Sequence, residues 1–438
     1  MRSSETGDAI APRDPTLGAR RRRLAFALQC VALLAPLLFA GYLGGRQLWA
    51  AYHSRAAKKA IQNRKFAEAQ THLRHALKVW VRDADVHLLA ARTARRAGFM
   101  DEAVNLLVEC EELPRRPQGL AIEQLLLDAQ LGRLGADGEA SLWALIRQKD
   151  PSTPLVLESL AQFYLYRYQL DRALDCLERW TKIEPDVAHA YLWRGQAMEA
   201  LANGDYALDS FARAVELDPD LVPARLSLAN LLLATNRVDD AAEQFEYLRR
   251  SQPDLADPLL GLGRCHYLKG NLDEAERCFQ TVADGHPDQW NALRELGRIA
   301  LDTGRLAAAE KWLRQSEARE PFDRHTLDLL VRCLQLQNKQ AEAKDRLVTL
   351  KRVDTDLNRL LRLVEIIGSK PADASSRYEA GHICLRYGQA TEGVRWLLGA
   401  LQVDPRHQGA HLALGDYYEK IGKPGLAKQH RDLARAGE

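Results

Sequence analysis

The chain has 438 residues, 46% of them apolar and 27% charged, with a net charge of +2. That balance excludes a strong demand for nucleic acid or another polyanion. The length would permit about three ordinary domains, and no stretch alternates apolar and polar residues as half-buried strands do.

Residues 1–23 are a basic tail ending in four consecutive arginines, Arg20 to Arg23. From Leu24 to Leu43 twenty residues follow without a charge. A helix of that length crosses roughly 30 Å of hydrocarbon, so 24–43 is expected to be a single transmembrane anchor. Gln29 and Pro36 interrupt it, and both are tolerated in membrane helices. A cleaved signal peptide would want a shorter apolar core and a small-x-small site, where Leu38-Phe39-Ala40 places a large residue. A buried core helix would show a polar stripe. Six Lys/Arg precede the stretch and six follow it within 23 residues. The arginine cluster abuts the membrane edge, whereas the later charges begin a folded array, and large domains translocate regardless of charge. A cytoplasmic N-terminus and an extracytoplasmic array are therefore expected. Gly41 and Gly45 form a GxxxG at the edge of the span, where such pairs are mostly incidental.

Beyond the stretch a small residue returns every 34 positions: Ala69 and Ala103, then Ala173, Ala207, Ala241, Ala275, Ala309 and Ala343, then Gly393 and Ala427. Four positions after it comes a large apolar residue, such as Leu177, Phe211, Phe245, Phe279 or Leu313; twelve after it comes Pro185, Pro219, Pro253, Pro287, Pro321 or Pro405. Twelve before it stands Gly or Ala, as at Gly195, Gly263, Gly297 and Gly381, with Val331 the exception. Five before it stands Gly98, Asn236, Gly270, Gly304, Asn338, Gly388 or Gly422. Small residues let two antiparallel helices approach, and the large residue fills the seam beside them. Gly and Asn tolerate the left-handed turn between helices, and proline stops the second helix.

Tyr191-Leu192-Trp193-Arg194-Gly195, Leu262-Gly263 and Ala207-x3-Phe211-x2-Ala214-x4-Pro219 closely resemble the tetratricopeptide repeat. The resemblance implies an all-α solenoid, a right-handed superhelix of about eleven helix–turn–helix repeats, preceded by the transmembrane helix. The register divides residues 50–438 into 50–83, 84–117, a degenerate unit 118–153, 154–187, 188–221, 222–255, 256–289, 290–323, 324–357, an insertion 358–373, 374–407 and 408–438. Leu357, Leu360, Leu361 and Val364 make the insertion helical, an extra solenoid helix that alters curvature, or a docking element. Arg431 replaces the apolar filler of the last unit, as a polar terminal cap requires.

No phosphate loop, GxGxxG, HExxH or GxSxG motif occurs. Neither an enzyme activity nor a cofactor is expected. Cys110, Cys176, Cys265, Cys278, Cys333 and Cys384 fall within or beside helix seams, and buried free thiols are expected there. His72, His75 and His87 are the densest histidines; without a nearby cysteine they are expected to lie on a solvated face, and no metal site is expected.

In the resembled family, first helices line a concave groove and the residue after the Gly/Ala points into it. Here that residue is Lys58, Arg92, Gln162, Gln196, Asn230, Arg264, Arg298, Arg332, His382 and Asp416. Arg264, Arg298 and Arg332 would form a ladder able to fork onto carboxylates or phosphates, while Gln162, Gln196 and Asn230 would hold a peptide backbone. The alternative is simply a wet face. The expected function is a membrane-anchored scaffold gathering a partner protein or an extended peptide with acidic groups, without nucleic acid. The alternative is a regulatory or substrate-docking subunit of an envelope-building enzyme.

Overall fold

The computed structural model describes residues 42–436. The stretch 24–43, apart from its last two residues, lies outside them. Among the described residues there are 22 helices and no strand, and no helix is long and apolar enough to cross a membrane. The chain divides into two compact units at Leu131/Gly132.

The first unit holds α1 (42–62), α2 (Phe66–Leu77), α3 (Ala84–Arg96), α4 (Met100–Glu112) and α5 (Leu120–Gln130). Ala57, Leu73, Ala91, Ala103 and Leu107 meet in its core. A buried ion cluster backs that core. Glu123 on α5 accepts from Arg95 at 2.5 Å and from Arg92 at 3.0 Å, both on α3. Burial opposes the charge of Glu123, but Arg95 and Arg92 outweigh it and hold the carboxyl below its usual range.

The second unit begins with α6 (Ala136–Arg147), α7 (Thr153–Tyr166), α8 (Leu170–Ile183), α9 (Ala188–Ala200), α10 (Gly204–Leu217) and α11 (Val222–Ala234). It continues through α12 (Val238–Ser251), α13 (Ala256–Leu268), α14 (Leu272–Gly285), α15 (Trp290–Asp302), α16 (Leu306–Arg319) and α17 (Arg324–Leu336). It ends with α18 (Gln340–Ser369), α19 (Ala374–Arg386), α20 (Ala390–Val403), α21 (Gln408–Lys420) and α22 (Pro424–Ala436). Each helix packs on the next, and first helices also touch across successive pairs, as α11 with α13 and α15 with α17.

The repeated residues explain the pairing. A Cβ on Gly195 would lie 2.4 Å from Phe211 Cε1, and one on Gly263 2.5 Å from Phe279 Cε1. The aromatic ring occupies the space that a side chain would take, so both helices lock at close range. All seven expected Gly/Asn turn residues have φ between +59° and +82°. Arg64, Tyr168 and Ala202 stand at the same register and adopt φ of +56° to +57° without being Gly or Asn. Before each closing proline the last residue is driven extended, with φ from −125° at Glu184 to −140° at Asp218, because the proline ring forbids the helical region there.

The 358–373 segment extends the second helix of its unit, so that α18 runs for 30 residues. Leu363 and Ile367 on that extension are buried against Ile383, Tyr387 and Trp396, and Tyr168 packs on the same cluster. The second unit thereby returns to its own beginning. Arg377 Nη1 donates to the Arg167 carbonyl at 3.3 Å, Gln402 donates to the Gly132 carbonyl, and the Tyr168 and Trp396 rings lie 5.7 Å apart. Arg395 sits over the Tyr166 ring at 5.8 Å. Besides altering the spacing, the inserted turns supply the surface on which the α7–α8 turn rests. A cleft of about 750 Å³ runs along this seam between Tyr168–Arg172, Ala200–Ala202 and Leu361, Val364, Glu365 and Pro371.

Candidate functional site

The first-helix face of the second unit is where the sequence places its binding residues. Gln162 is half-buried on α7, while Gln196 on α9 and Asn230 on α11 are exposed. Arg264 on α13 and Arg298 on α15 are half-buried, Arg332 on α17 is exposed, and His382 on α19 is exposed with its ring 6.0 Å from Tyr378. Asp416 on α21 pairs with Arg431 at 3.1 Å. In the first unit Lys58 is exposed and Arg92 is tied to Glu123.

Two of the three ladder arginines already have a carboxylate. Glu295, one turn before Arg298 on α15, lies 3.3 Å from Arg298 Nε and 3.7 Å from Arg264 Nε. Arg294 donates to Glu295 at 2.8 Å and reaches Asp323 at 3.2 Å. Asp323 is itself held by the N-terminus of α17, accepting from the Thr326 amide at 2.8 Å and its hydroxyl at 2.7 Å. Three guanidinia therefore share the buried Glu295 and the part-buried Asp323, Asp257 adds a further negative charge near Arg264, and Arg332 stands exposed on the next first helix. Burial lowers the Arg264 pKa; Glu295 opposes that shift and the neighbouring arginines add to it. Tyr267 donates to Asp302 at 2.7 Å, and burial together with that bond pushes its phenol up to about 12.

Sequence reading missed the carboxylates, although a spacing was available to find them. Arg92 and Glu123, and again Arg264 and Glu295, stand 31 positions apart, so a first-helix Glu of one repeat meets the arginine of the repeat before it. Counting 31 from Arg332 reaches Leu363, and Arg332 has no such carboxylate.

The histidines group differently from expectation. His87 is buried, its Nδ1 2.8 Å from the Asp83 carbonyl. His53, on α1, joins His72 and His75 of α2: the Nδ1 atoms of His53 and His72 lie 2.8 Å apart, and the His53 and His75 rings 4.8 Å apart. Among the described residues no three His, Cys, Asp or Glu side chains are placed to hold a metal ion. The cysteines within the described residues are free, and burial raises the thiols of Cys110, Cys265 and Cys384 to about 11 and that of Cys176 to about 12. Thiols so shifted are poor nucleophiles near neutral pH.

A family model described as tetratricopeptide repeat matches residues 54–109, 226–277 and 269–324. No curated protein sequence matches the chain significantly. Among solved structures it is similar to PilW, a widely conserved type IV pilus biogenesis factor, at 21% identity and a TM-score of 0.41, covering 45% of this chain and 92% of that one. It is similar to YrrB, described as having an unusual peptide-binding site, at 18% identity and a TM-score of 0.28, covering 47% and 98%. MamA of Desulfovibrio magneticus RS-1 is 19% identical with a TM-score of 0.36, covering 39% and 96%. At those scores the three carry no argument about what this chain binds.

Proposed function

We propose that this chain, which carries tetratricopeptide repeats, is a membrane-anchored scaffold that holds a partner protein or an extended peptide on the first-helix face of its second unit. The supporting observation is that face itself. From Gln196 to Arg332 every groove position is polar and at least partly accessible, on helices whose other sides are locked by packing such as Gly195 on Phe211. A preformed surface binds without first having to be ordered. Gln196 and Asn230 suit a peptide backbone. The exposed Arg332 suits a carboxylate on the ligand. Such repeats are generally non-catalytic, and the proposed action is recognition without chemistry.

The anchor rests on the twenty uncharged residues 24–43, and the extracytoplasmic placement of the repeats on Arg20 to Arg23 at its edge. Whether the partner is an envelope-building enzyme is a question of the partner's identity. A photo-crosslinking amino acid placed at Asn230 or Arg332 in the intact membrane tests the proposal, with Lys182 and Arg277, exposed on second helices, as controls. Adducts are expected at the first two positions and not at the controls; equal yields at all four would sink it. Protease accessibility of the repeats in sealed vesicles tests the orientation.

A further inference from the structure

Helix α1 is the first helix of the described residues, and its outer face is largely exposed. Tyr42 is 60% exposed, Leu48 74% and Tyr52 64%, and Val81 in the α2–α3 turn is 62% exposed. Trp49 is 41% exposed and edges a shallow groove of about 600 Å³ with Tyr42, Gly45, Arg46, Lys78 and Val79. The turn is fastened to the helix: Arg46 donates to the Lys78 carbonyl at 3.4 Å and Trp80 Nε1 donates to Gln47 at 2.6 Å. Arg46 also lies 5.8 Å from the Tyr42 ring. The last helix, α22, differs. Its accessible side mixes Lys428, Asp432 and Arg435 with Leu426 and Leu433, both signs of charge together, as a terminal cap in water requires.

The charge around α1 has one sign. From Pro15 to Ala67 the sequence contains ten Lys/Arg and no Asp or Glu. An exposed array of Trp, Tyr and aliphatic side chains rimmed mainly by Arg and Lys, with Asp83 and Asp85 at the far end of the α2–α3 turn, is unfavourable against water, and has the composition of a protein surface at the headgroup level of a bilayer. Aromatic rings partition there, while Lys and Arg meet anionic phosphates. The uncharged stretch ends at Leu43, inside α1 itself, so no linker separates the two. We infer that this face of α1, with the α2–α3 turn, docks on an anionic lipid surface and holds the first repeat against the membrane. This docking rests on the anchored reading proposed above and adds to it a second, lipid-selective contact.

The test uses the full chain reconstituted into vesicles of phosphatidylcholine alone, or of phosphatidylcholine mixed with phosphatidylglycerol. The readout is quenching of Trp49 emission by brominated acyl chains, taken as the difference between the wild type and Trp49→Phe. Quenching of the Trp49 component is expected to be stronger by roughly twofold or more in the anionic vesicles. It should fall to the phosphatidylcholine level in an Arg46→Glu, Lys78→Glu, Arg82→Glu variant that still resists alkaline carbonate extraction. A wild type that carbonate extracts would refute the anchor. A wild type that stays in the membrane with Trp49 unquenched in both mixtures would refute the docking alone. Trp49 burial in lipid-free detergent that rises with protein concentration, or on adding single-stranded RNA, would assign the face to a second copy or to nucleic acid and overturn the inference.

Discussion

Ala202 and Gly263 illustrate how two positions of the repeat motif demand opposite chemistry. Ala202 holds φ at +57° at an exposed turn, a conformation that costs an L-residue roughly 1–2 kcal/mol. Ala202→Gly is expected to stabilise the protein by about 0.5–1 kcal/mol, read as a raised midpoint in urea. Gly263→Ala drives a methyl into Phe279 and is expected to cost about 1–3 kcal/mol by the same measurement. The residue sixteen positions before the recurring small residue has, in several repeats, a polar task that composition does not reveal. Arg225, Arg377 and His411 each donate to the carbonyl of the proline six residues earlier. In the first and last repeats that position is a histidine facing a second one, His53 on His72 and His411 on His430, with Nδ1 atoms 2.8 and 2.9 Å apart. One nitrogen of each pair must carry the proton and the other the lone pair. Burial, and then the neighbouring histidines, lower the pKa of His53 and His430 below 6.5. Their neutral forms therefore support the fold above that pH, and the support is lost as pH falls from 6.5 through the lowered values. Hydrogen exchange in α1, α2, α21 and α22 is expected to quicken between pH 7 and 5.5 once corrected for the intrinsic rate, and His72→Gln should blunt the effect in α1 and α2.

Helix α18 shows what an insertion does to an element. The apolar spacing of Leu357, Leu360, Leu361 and Val364 announces a helix, and the segment is one, continuous with the helix before it. Its consequence lies elsewhere in the chain. Leu363 and Ile367 build the surface that receives Tyr168, and Trp396 closes it from α20. The seam includes polar groups that are poorly satisfied. Arg377 is buried, and burial followed by the nearby Arg167 lowers its pKa to about 10, while the Nε atoms of Arg167 and Arg395 are buried without a hydrogen-bond partner. Such a contact is held chiefly by apolar packing. Trp396→Ala is expected to cost about 3–5 kcal/mol. Amide exchange should then rise first at residues 166–172, ahead of the α10–α14 core. Uniform loss across the second unit would instead mark α20 as essential to the whole fold.

Within each unit every repeat is stabilised by its immediate neighbours, so damage should stay local. Glu123 is the sharpest probe. It is fully buried between Arg95 and Arg92, and Glu123→Gln removes the buried carboxylate charge that both guanidinia share, at a cost of about 3–5 kcal/mol. Exchange protection is expected to collapse in α3 to α5 and to persist in α10 to α16. Loss in both would mean that the two units unfold as one. The ion clusters at Glu123 and Glu295 share a layout 172 positions apart.

Sequence alone determined the repeat length, the helix pairing, the seven left-handed Gly and Asn turns and the proline stops. Each depends on residues within one or two repeats, where a missing Cβ or a missing N–H leaves a single allowed geometry. Arg64, Tyr168 and Ala202, left-handed at the same register, escaped notice because their residue types carry no preference for that conformation. Only the tertiary structure decided that the second unit meets its own start. The pairing of Arg264 with Glu295, 31 positions on, was a local spacing that went unread, whereas Gln402 lies 270 positions from Gly132. Contacts of that kind follow from the accumulated rotation of many repeats, a sum of small angles that no local spacing encodes.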